Sequence, residues 1–524
     1  MIEKLKRLRA WLMSPVGKVF ILGVGVSLVM LALGYRRQVY SSDDVVWQNA
    51  LLTWVPFHKN IYYSDGSASF IAKVPLYLLI GKIIAPSRLA LLVASAFLTA
   101  GNFALCYFII IGFLKRAKVH LTLLTLLPFV WVASLGWQFE TLFLMPNVHN
   151  IEVGFVLLMY AAAVKVAARE VDFRKSRRAV VWAAVLCLLF GLFILDDQYV
   201  LYFGVAPVVG LGIYLLARHR TKDSLIILGG SVLSVAFAHV FHLMAAMAGV
   251  QLPAGVPVSF ASFPMFVSNI GTTVESLLMV FDADFWGRKV VGFTTVSMMF
   301  NAGILAVVVI AVGRTLRRSK ILWLTLLAGV FVFALAVYAT SDLSIGTSTY
   351  RYLVLLPFIA IPFLSMQLEG GYSDLKRIFA GLLAASILLN VLVGIVGAHE
   401  NLASPPNNSG NRQNLALVQA LKERGLTKGY AQYWDANINS YLSGGSVLVV
   451  PVLCSPDALK PMTWLVPTSE INRTATRTFL ILDPAHPEDG CTEDGVEHIL
   501  GSPSSSFMAA GMTVIVYDRD IAKL

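Results

Sequence analysis

Residues 70–85 read FIAKVPLYLLIGKIIA, and whether this run crosses a membrane decides the topology of the whole chain. It is apolar but interrupted by Lys73, Pro75 and Lys82, and it falls short of the roughly 20 residues that a spanning helix needs. Counting it as a span would set Lys115-Arg116-Ala117-Lys118 outside, on the opposite side from the N-terminal cations, against the tendency of Lys and Arg to remain cytoplasmic. The run is therefore read as a juxtamembrane or re-entrant helix at the outer face.

With that run set aside, apolar stretches at 19–34, 88–114, 121–139, 151–168, 179–195, 198–217, 224–249, 291–313, 321–340, 352–368 and 378–397 predict about eleven spans. An odd count places the tail opposite the N-terminus. Lys4, Lys6, Arg7, Arg9 and Lys18 precede the first run, and Tyr35-Arg36-Arg37 follows it where a small-residue cleavage site would stand. This reads as an uncleaved first span with a cytoplasmic N-terminus. Every even-numbered span should then exit beside Lys and Arg. The clusters Lys115-Arg116-Ala117-Lys118, Arg174-Lys175-Ser176-Arg177-Arg178, 218–222, 314–320 and Lys376-Arg377 all fall at those exits. The expected location is the bacterial inner membrane.

Composition agrees. With 57% hydrophobic and 14% charged residues and a mean hydropathy of +0.73, an aqueous globular domain, disorder and a disulfide-rich secreted scaffold are excluded. The net charge of +11 would suggest nucleic acid in a soluble chain; here it marks the cytoplasmic face, and no nucleic-acid partner is expected. No Walker loop, dinucleotide fingerprint, zinc-protease motif or nucleophile elbow occurs, so nucleotide-driven pumping has no support.

The expected organisation is a membrane module over 1–397, a linker over 398–411 containing Ser404-Pro405-Pro406-Asn407-Asn408-Ser409-Gly410, and an extracytoplasmic α/β domain over 412–524. An amphipathic helix is predicted at 413–424, closed by Gly425, with strands at 446–452, 478–482 and 513–517. Two long loops, 35–87 and 250–290, are expected outside. Cys454 and Cys491 both lie in the tail; a disulfide between them and two free thiols are equally open readings. The aromatic segment 429–437 reads as a packed strand-to-helix junction in preference to a carbohydrate-stacking surface. The tail is expected to help select an acceptor.

Ionisable residues gather at the outer ends of spans. Asp43 and Asp44 follow the first span, where the bland reading is a helix N-terminus capped by Ser42 or Asp43. Lys73 either snorkels to headgroups or binds a lipid phosphate there. Asp196 and Asp197 form a polar turn between spans five and six, and acids between such apolar runs are functional candidates. Arg351, flanked by Tyr350 and Tyr352, is an interfacial anchor or a bidentate phosphate ligand. His149 precedes span four, where helix capping by Asn150 is the bland reading. His239 and His242 share a helix face without a nearby carboxylate or thiolate, and no metal site is expected there.

Taken together, these positions resemble the GT-C superfamily of membrane glycosyltransferases, in particular the branch of the protein O-mannosyltransferases and the bacterial aminoarabinose transferase of lipid A. Asp43-Asp44 stands where that branch has an acidic motif after the first span. Lys73-Val74-Pro75-Leu76 is similar to its Lys-Pro-Pro-Leu signature, and the run from Arg351 to Pro357 to its Arg-Tyr-Leu start of a late span. Ala72 departs from the acidic residue that often precedes the lysine. The resemblance implies a polyprenyl-phosphate-linked sugar donor, an extracytoplasmic acceptor and an inverting displacement. It implies Asp43 or Asp44 as base, Lys73 and Arg351 as phosphate ligands, and His149, Asp196 and Asp197 as contacts to sugar or acceptor. The paired carboxylates Asp43 and Asp44 would suit a divalent cation, Mg or Mn. A transporter or flippase of a lipid-linked sugar is the main alternative, although the repeats usual in such proteins are not seen. A non-catalytic assembly protein of the envelope glycan is the other.

Overall fold

The computed structural model describes residues 6, 10–11, 13–34, 79–80, 83, 88–116, 126–135, 149–169, 177–247, 258–318, 321–344, 347–370, 373–403, 409–455, 458–462, 471, 473–484 and 492–521. Each of the eleven apolar runs holds a helix. These are α1 (Pro15–Gly34), α2 (Arg88–Arg116), α3 (Leu127–Ala133), α4 (Asn150–Ala167), α5 (Arg177–Asp196), a π-helical turn (Val200–Val205) running into α6 (Ala206–Ala217), and α7 (Thr221–Met247). After α8 (Phe263–Val280) come α9 (Phe293–Arg318), α10 (Leu322–Thr340), a 3-10 turn (Thr347–Leu353) leading into α11 (Leu355–Gly370), and α12 (Ser373–Ala403). Among the described residues, eight helices are long and apolar enough to cross a membrane, and two shorter apolar helices accompany them. The chain is a multi-pass membrane protein, mainly helical, with a bundle of apolar helices and a C-terminal α/β unit.

The bundle buries one large apolar cluster that includes Trp131, Tyr160, Phe203, Phe331 and Phe358. α1 packs on α2, α2 on α4, α5 and α6 on α7, and α9 on α12. Outward faces are apolar too: Val180, Val232 and Val391 are exposed, as a lipid-facing surface requires, since lipid tails solvate them.

The expected outer loop over 250–290 is corrected by α8, an 18-residue helix. Its sequence hid it because Asn269, Thr272, Thr273, Glu275 and Ser276 break the apolar run. The structure shows an inverted amphipathic helix. Phe263, Val267, Ile270 and Val274, spaced along one stripe, are exposed, while Asn269, Thr273 and Ser276 are buried. Asn269 donates through Nδ2 to the Ala339 and Ser341 carbonyls at the end of α10, satisfying groups that a helix C-terminus leaves open.

A buried polar network ties α3, α9 and α12 together. The Trp131 indole N–H donates to Asn301 Oδ1 at 3.0 Å. Asn301 also accepts from Ser386 at 2.7 Å and donates to the Asp282 carbonyl at 3.0 Å. Asn390 donates to Ser134 Oγ at 3.2 Å.

α12 runs on to Ala403, past residue 397 where the membrane module was expected to end, and α13 (Ser409–Glu423) begins the α/β unit. There follow β1 (Lys428–Ala431), α14 (Tyr433–Leu442), β2 (Leu448–Ser455), β3 (Ala458–Pro461), β4 (Thr478–Leu482), α15 (Glu493–Leu500), β5 (Ser505–Ala509) and β6 (Met512–Tyr517). The sheet order is β3-β2-β1-β4-β6-β5; β1 is parallel to both β2 and β4, whereas β6 is antiparallel to β4. Phe479 and Ile481 of β4 face a core with Leu417, Leu421 and Ala436, and Leu480 and Leu482 face a second one with Val496 and Leu500. Helices thus cover both faces, which is why β4 reads as an unbroken apolar run. Gly429 sits where a Cβ would overlap the Phe479 ring. The predicted helix, its Gly425 end with φ +66° and the three predicted strands are all present. Segment 429–437 is the β1–α14 junction: Gln432 caps α14 by accepting from the Trp434 N–H at 2.8 Å and donating to Asp435 at 2.6 Å. Cys454 is disulfide-bonded, whereas Cys106 and Cys187 are free thiols; Cys491 lies outside the described residues.

Candidate functional site

Contacts of His149 with Asp197 and Tyr352 bring the start of α4, the α5–α6 junction and the 3-10 turn before α11 together at one end of the bundle. The cationic termini, Arg116 of α2, Arg177 of α5, Arg317 and Arg318 of α9 and Lys376 of α12, are at the other end.

At the first end, Asp197 is the one non-helical residue between α5 and the helical turn that begins at Gln198. Its two oxygens have separate tasks. Oδ1 accepts from the Tyr199 backbone N–H at 2.7 Å, an Asx-type cap that starts the next helix. Oδ2 lies 2.8 Å from His149 Nδ1. One carboxylate thus both starts the next helix and meets His149. Asp196 closes α5, and its side chain lies outside the described residues.

His149 occupies the N-cap position of α4 without a side-chain capping bond, and Asn150, the expected cap, is the first helical residue. The imidazole is thereby left to face Asp197. Glu152 stands in the first turn of α4, three residues after His149 and on the same face, where the helix N-terminus favours negative charge. One ligand-type atom from each of His149, Glu152 and Asp197 falls within 4.8 Å of the others, so this is where a metal ion could be held. The cluster is enclosed: His149 is 8% exposed, Glu152 1% and Asp197 3%.

Aromatic rings wall the cluster. Tyr199 stacks on the His149 imidazole at 4.6 Å and 13°, and Tyr352 lies 5.3 Å from the same ring. The π-helical turn directly after Tyr199 is a local irregularity often found at functional sites. Gly204 of this turn faces Met159 and Val156 of α4.

Arg351 sits on the 3-10 turn, half-buried, with its guanidinium 5.7 Å from the Tyr352 ring centre. Among the described residues it makes no ion pair. Tyr338 holds this turn, contacting Thr349 Oγ1 at 2.6 Å and Ser276 Oγ of α8 at 3.0 Å. The helix missing from the sequence reading therefore buttresses the element that carries Arg351.

Of the residues singled out in sequence, the structure brings together His149 and Asp197, with Arg351 one aromatic layer away through Tyr352. Asp43, Asp44 and Lys73 lie outside the described residues. Of run 70–85, Leu79, Ile80 and Ile83 are described and helical, with Leu79 and Ile83 exposed and Ile80 buried. His239 and His242 are on exposed positions of α7. Sequence reasoning missed Glu152, Tyr199 and Tyr352. The spacing His149-Asn150-Ile151-Glu152 was a signal for the first, because two polar groups one turn apart at the start of an apolar helix share a face.

No family model matches the chain, and no curated protein matches it in sequence. Its structure is similar to the crystal structure of ArnT from Cupriavidus metallidurans bound to undecaprenyl phosphate, with a TM-score of 0.52 and 12% identity over 96% of this chain and 98% of that one. At this identity the likeness shows the fold, and it extends through both the helical bundle and the C-terminal unit.

Proposed function

We propose that this GT-C-fold protein is an integral membrane glycosyltransferase that moves a sugar from a polyprenyl-phosphate-linked donor to an extracytoplasmic acceptor. The observation that carries the reading is the enclosed His149–Glu152–Asp197 cluster beside Arg351, set at the bundle end opposite the cationic termini in a chain with the fold of a protein crystallised with undecaprenyl phosphate.

In this reading Arg351 and Lys73 bind the donor phosphate, since a guanidinium matches phosphate geometry and an ammonium adds a point charge. Asp43 or Asp44 takes the proton of the acceptor hydroxyl as its oxygen attacks the anomeric carbon. The bond from that carbon to the phosphate oxygen breaks with inversion, and polyprenyl phosphate leaves carrying the electron pair. Cations stabilise the charge that develops on it. His149 and Asp197, with Asp196, contact sugar or acceptor.

The disulfide at Cys454 supports an extracytoplasmic tail, because disulfides persist in oxidising compartments. α12 begins at the cationic end and runs to Ala403, so the tail leaves it at the same end as the cluster, which suits a role in acceptor selection.

The test is sugar transfer by the full chain in nanodiscs, using a panel of undecaprenyl-phosphate-linked sugars, alongside envelope glycan analysis of cells lacking the protein. Loss of a sugar decoration in cells, and transfer abolished by Asp43→Asn/Asp44→Asn in nanodiscs, are expected. Accumulation of inward-facing lipid-linked sugar with the decoration chemistry intact would overturn the reading in favour of transport.

A further inference from the structure

We propose that His149, Glu152 and Asp197 bind a single first-row transition-metal ion of the zinc or manganese class at the floor of the candidate transfer site. The inference builds on the reading of that cluster as part of the site, and it concerns a set of ligands separate from Asp43 and Asp44, where Mg or Mn was expected.

Geometry comes first. Around one ion with bonds of about 2.0–2.2 Å, ligand atoms stand roughly 3.0–4.4 Å apart. The three side chains here offer atoms within 4.8 Å of one another, so closing on an ion takes shifts on the order of half an ångström. The ligands come from two elements that the bundle holds rigidly, the start of α4 and the α5–α6 junction.

Ligand chemistry selects the ion. Magnesium and calcium take oxygen shells and have little use for an imidazole. One imidazole nitrogen with two carboxylates suits zinc, manganese and their first-row neighbours.

The surroundings orient the ligands as outer contacts of metal sites do. The Tyr199 N–H occupies Asp197 Oδ1 at 2.7 Å, which leaves Oδ2 turned towards His149. The Tyr199 ring lies flat on the imidazole and fixes its plane. An independent observation points the same way. The Tyr199 hydroxyl belongs to a residue only 3% exposed, faces the Leu355 backbone N–H, finds no acceptor for its own proton among the described residues, and lies within electrostatic reach of both Asp197 and Glu152. Its proton is without an acceptor in the protein, and an oxygen bound to an ion at the cluster, from water or a phosphate, would supply one.

The experiment is metal analysis by mass spectrometry of the full chain, purified in detergent, loaded with zinc or manganese chloride and then desalted. About one ion per chain is expected, falling more than tenfold in His149→Ala and Asp197→Asn and retained in Asp197→Glu, which keeps a carboxylate oxygen. Cobalt loading should give a visible d–d absorption band in the wild type that both losing variants lack. Size-exclusion profiles establish that each variant is folded, and the wild-type stoichiometry stands without them. No metal above the detergent blank in the wild type overturns the proposal, as does equal binding in folded His149→Ala. Both readouts are independent of turnover. A chain that binds metal but transfers no sugar overturns the proposed function alone, whereas sugar transfer by a chain that takes up no metal overturns only this inference.

Discussion

His149 Nδ1 and Asp197 Oδ2 lie 2.8 Å apart, although 48 residues separate them along the chain. The contact is enclosed, and it joins the N-cap of one helix to the tight junction between two others.

Removing either partner leaves the other buried without its counterpart. His149→Ala is expected to lower stability by about 1–3 kcal/mol, the usual cost of a buried polar group that loses a hydrogen-bond partner, and to reduce sugar transfer strongly. Thermal unfolding in detergent and a transfer assay on the surviving folded fraction check both effects.

In the proposed reading, Arg351→Gln removes charge-assisted hydrogen bonds to the donor phosphate, each worth about 1.5–3 kcal/mol. The expected outcome is a rise in KM for the lipid-linked donor of about tenfold or more, with folding unaffected because the guanidinium makes no ion pair among the described residues. Steady-state kinetics against donor concentration measures it; an unchanged KM removes Arg351 from the site.

Burial pushes the Asp282 carboxyl up to about 7, against a smaller opposing effect of Arg288. The folded chain therefore holds this proton where the unfolded chain has released it. Between about pH 4 and 7 the Asp282 contribution lowers stability as pH rises, and it levels off above that window. Asp282→Asn should unfold about 2–4 °C higher than wild type at pH 8, with the difference vanishing near pH 4. Asparagine also tolerates the left-handed backbone there, where φ is +49°. Unfolding midpoints across that pH range provide the check.

Asn301 accepts from Trp131 and Ser386 and donates to Asn390 and the Asp282 carbonyl. Asn301→Ala strands several of these groups in the bundle and is expected to cost about 1–2 kcal/mol. A double-mutant cycle with Trp131→Phe should show coupling between the two residues.

At Gly429 a Cβ would collide with the Phe479 ring of the neighbouring strand. Gly429→Ala should therefore destabilise the α/β unit by about 1–3 kcal/mol, the range for overpacked cores. Limited proteolysis is expected to cut the tail of the variant earlier than that of wild type.

Legibility followed physical range. The spans were readable because lipid solvates side chains over whole helices, so every run of apolar residues carries the same signal. The strands 478–482 and 513–517 were readable because both faces of the sheet are covered by helices. α8 escaped because the usual pattern is turned inside out: its polar stripe meets protein carbonyls and hydroxyls, and its apolar stripe faces outward. Asp197 was flagged by its position alone, and nothing local distinguished a cap from a ligand.

By itself the sequence determined the membrane class, the eleven apolar runs, the clustering of positive charge at one set of helix ends and the α/β character of the tail, all properties of local composition and period. Only the tertiary structure decided that His149, Glu152 and Asp197 share one enclosed space, with Tyr199 stacked upon it and Arg351 one ring away. Those residues lie on helices whose mutual rotation is set by packing across the bundle, and a helical period says which residues share a face but not which faces meet.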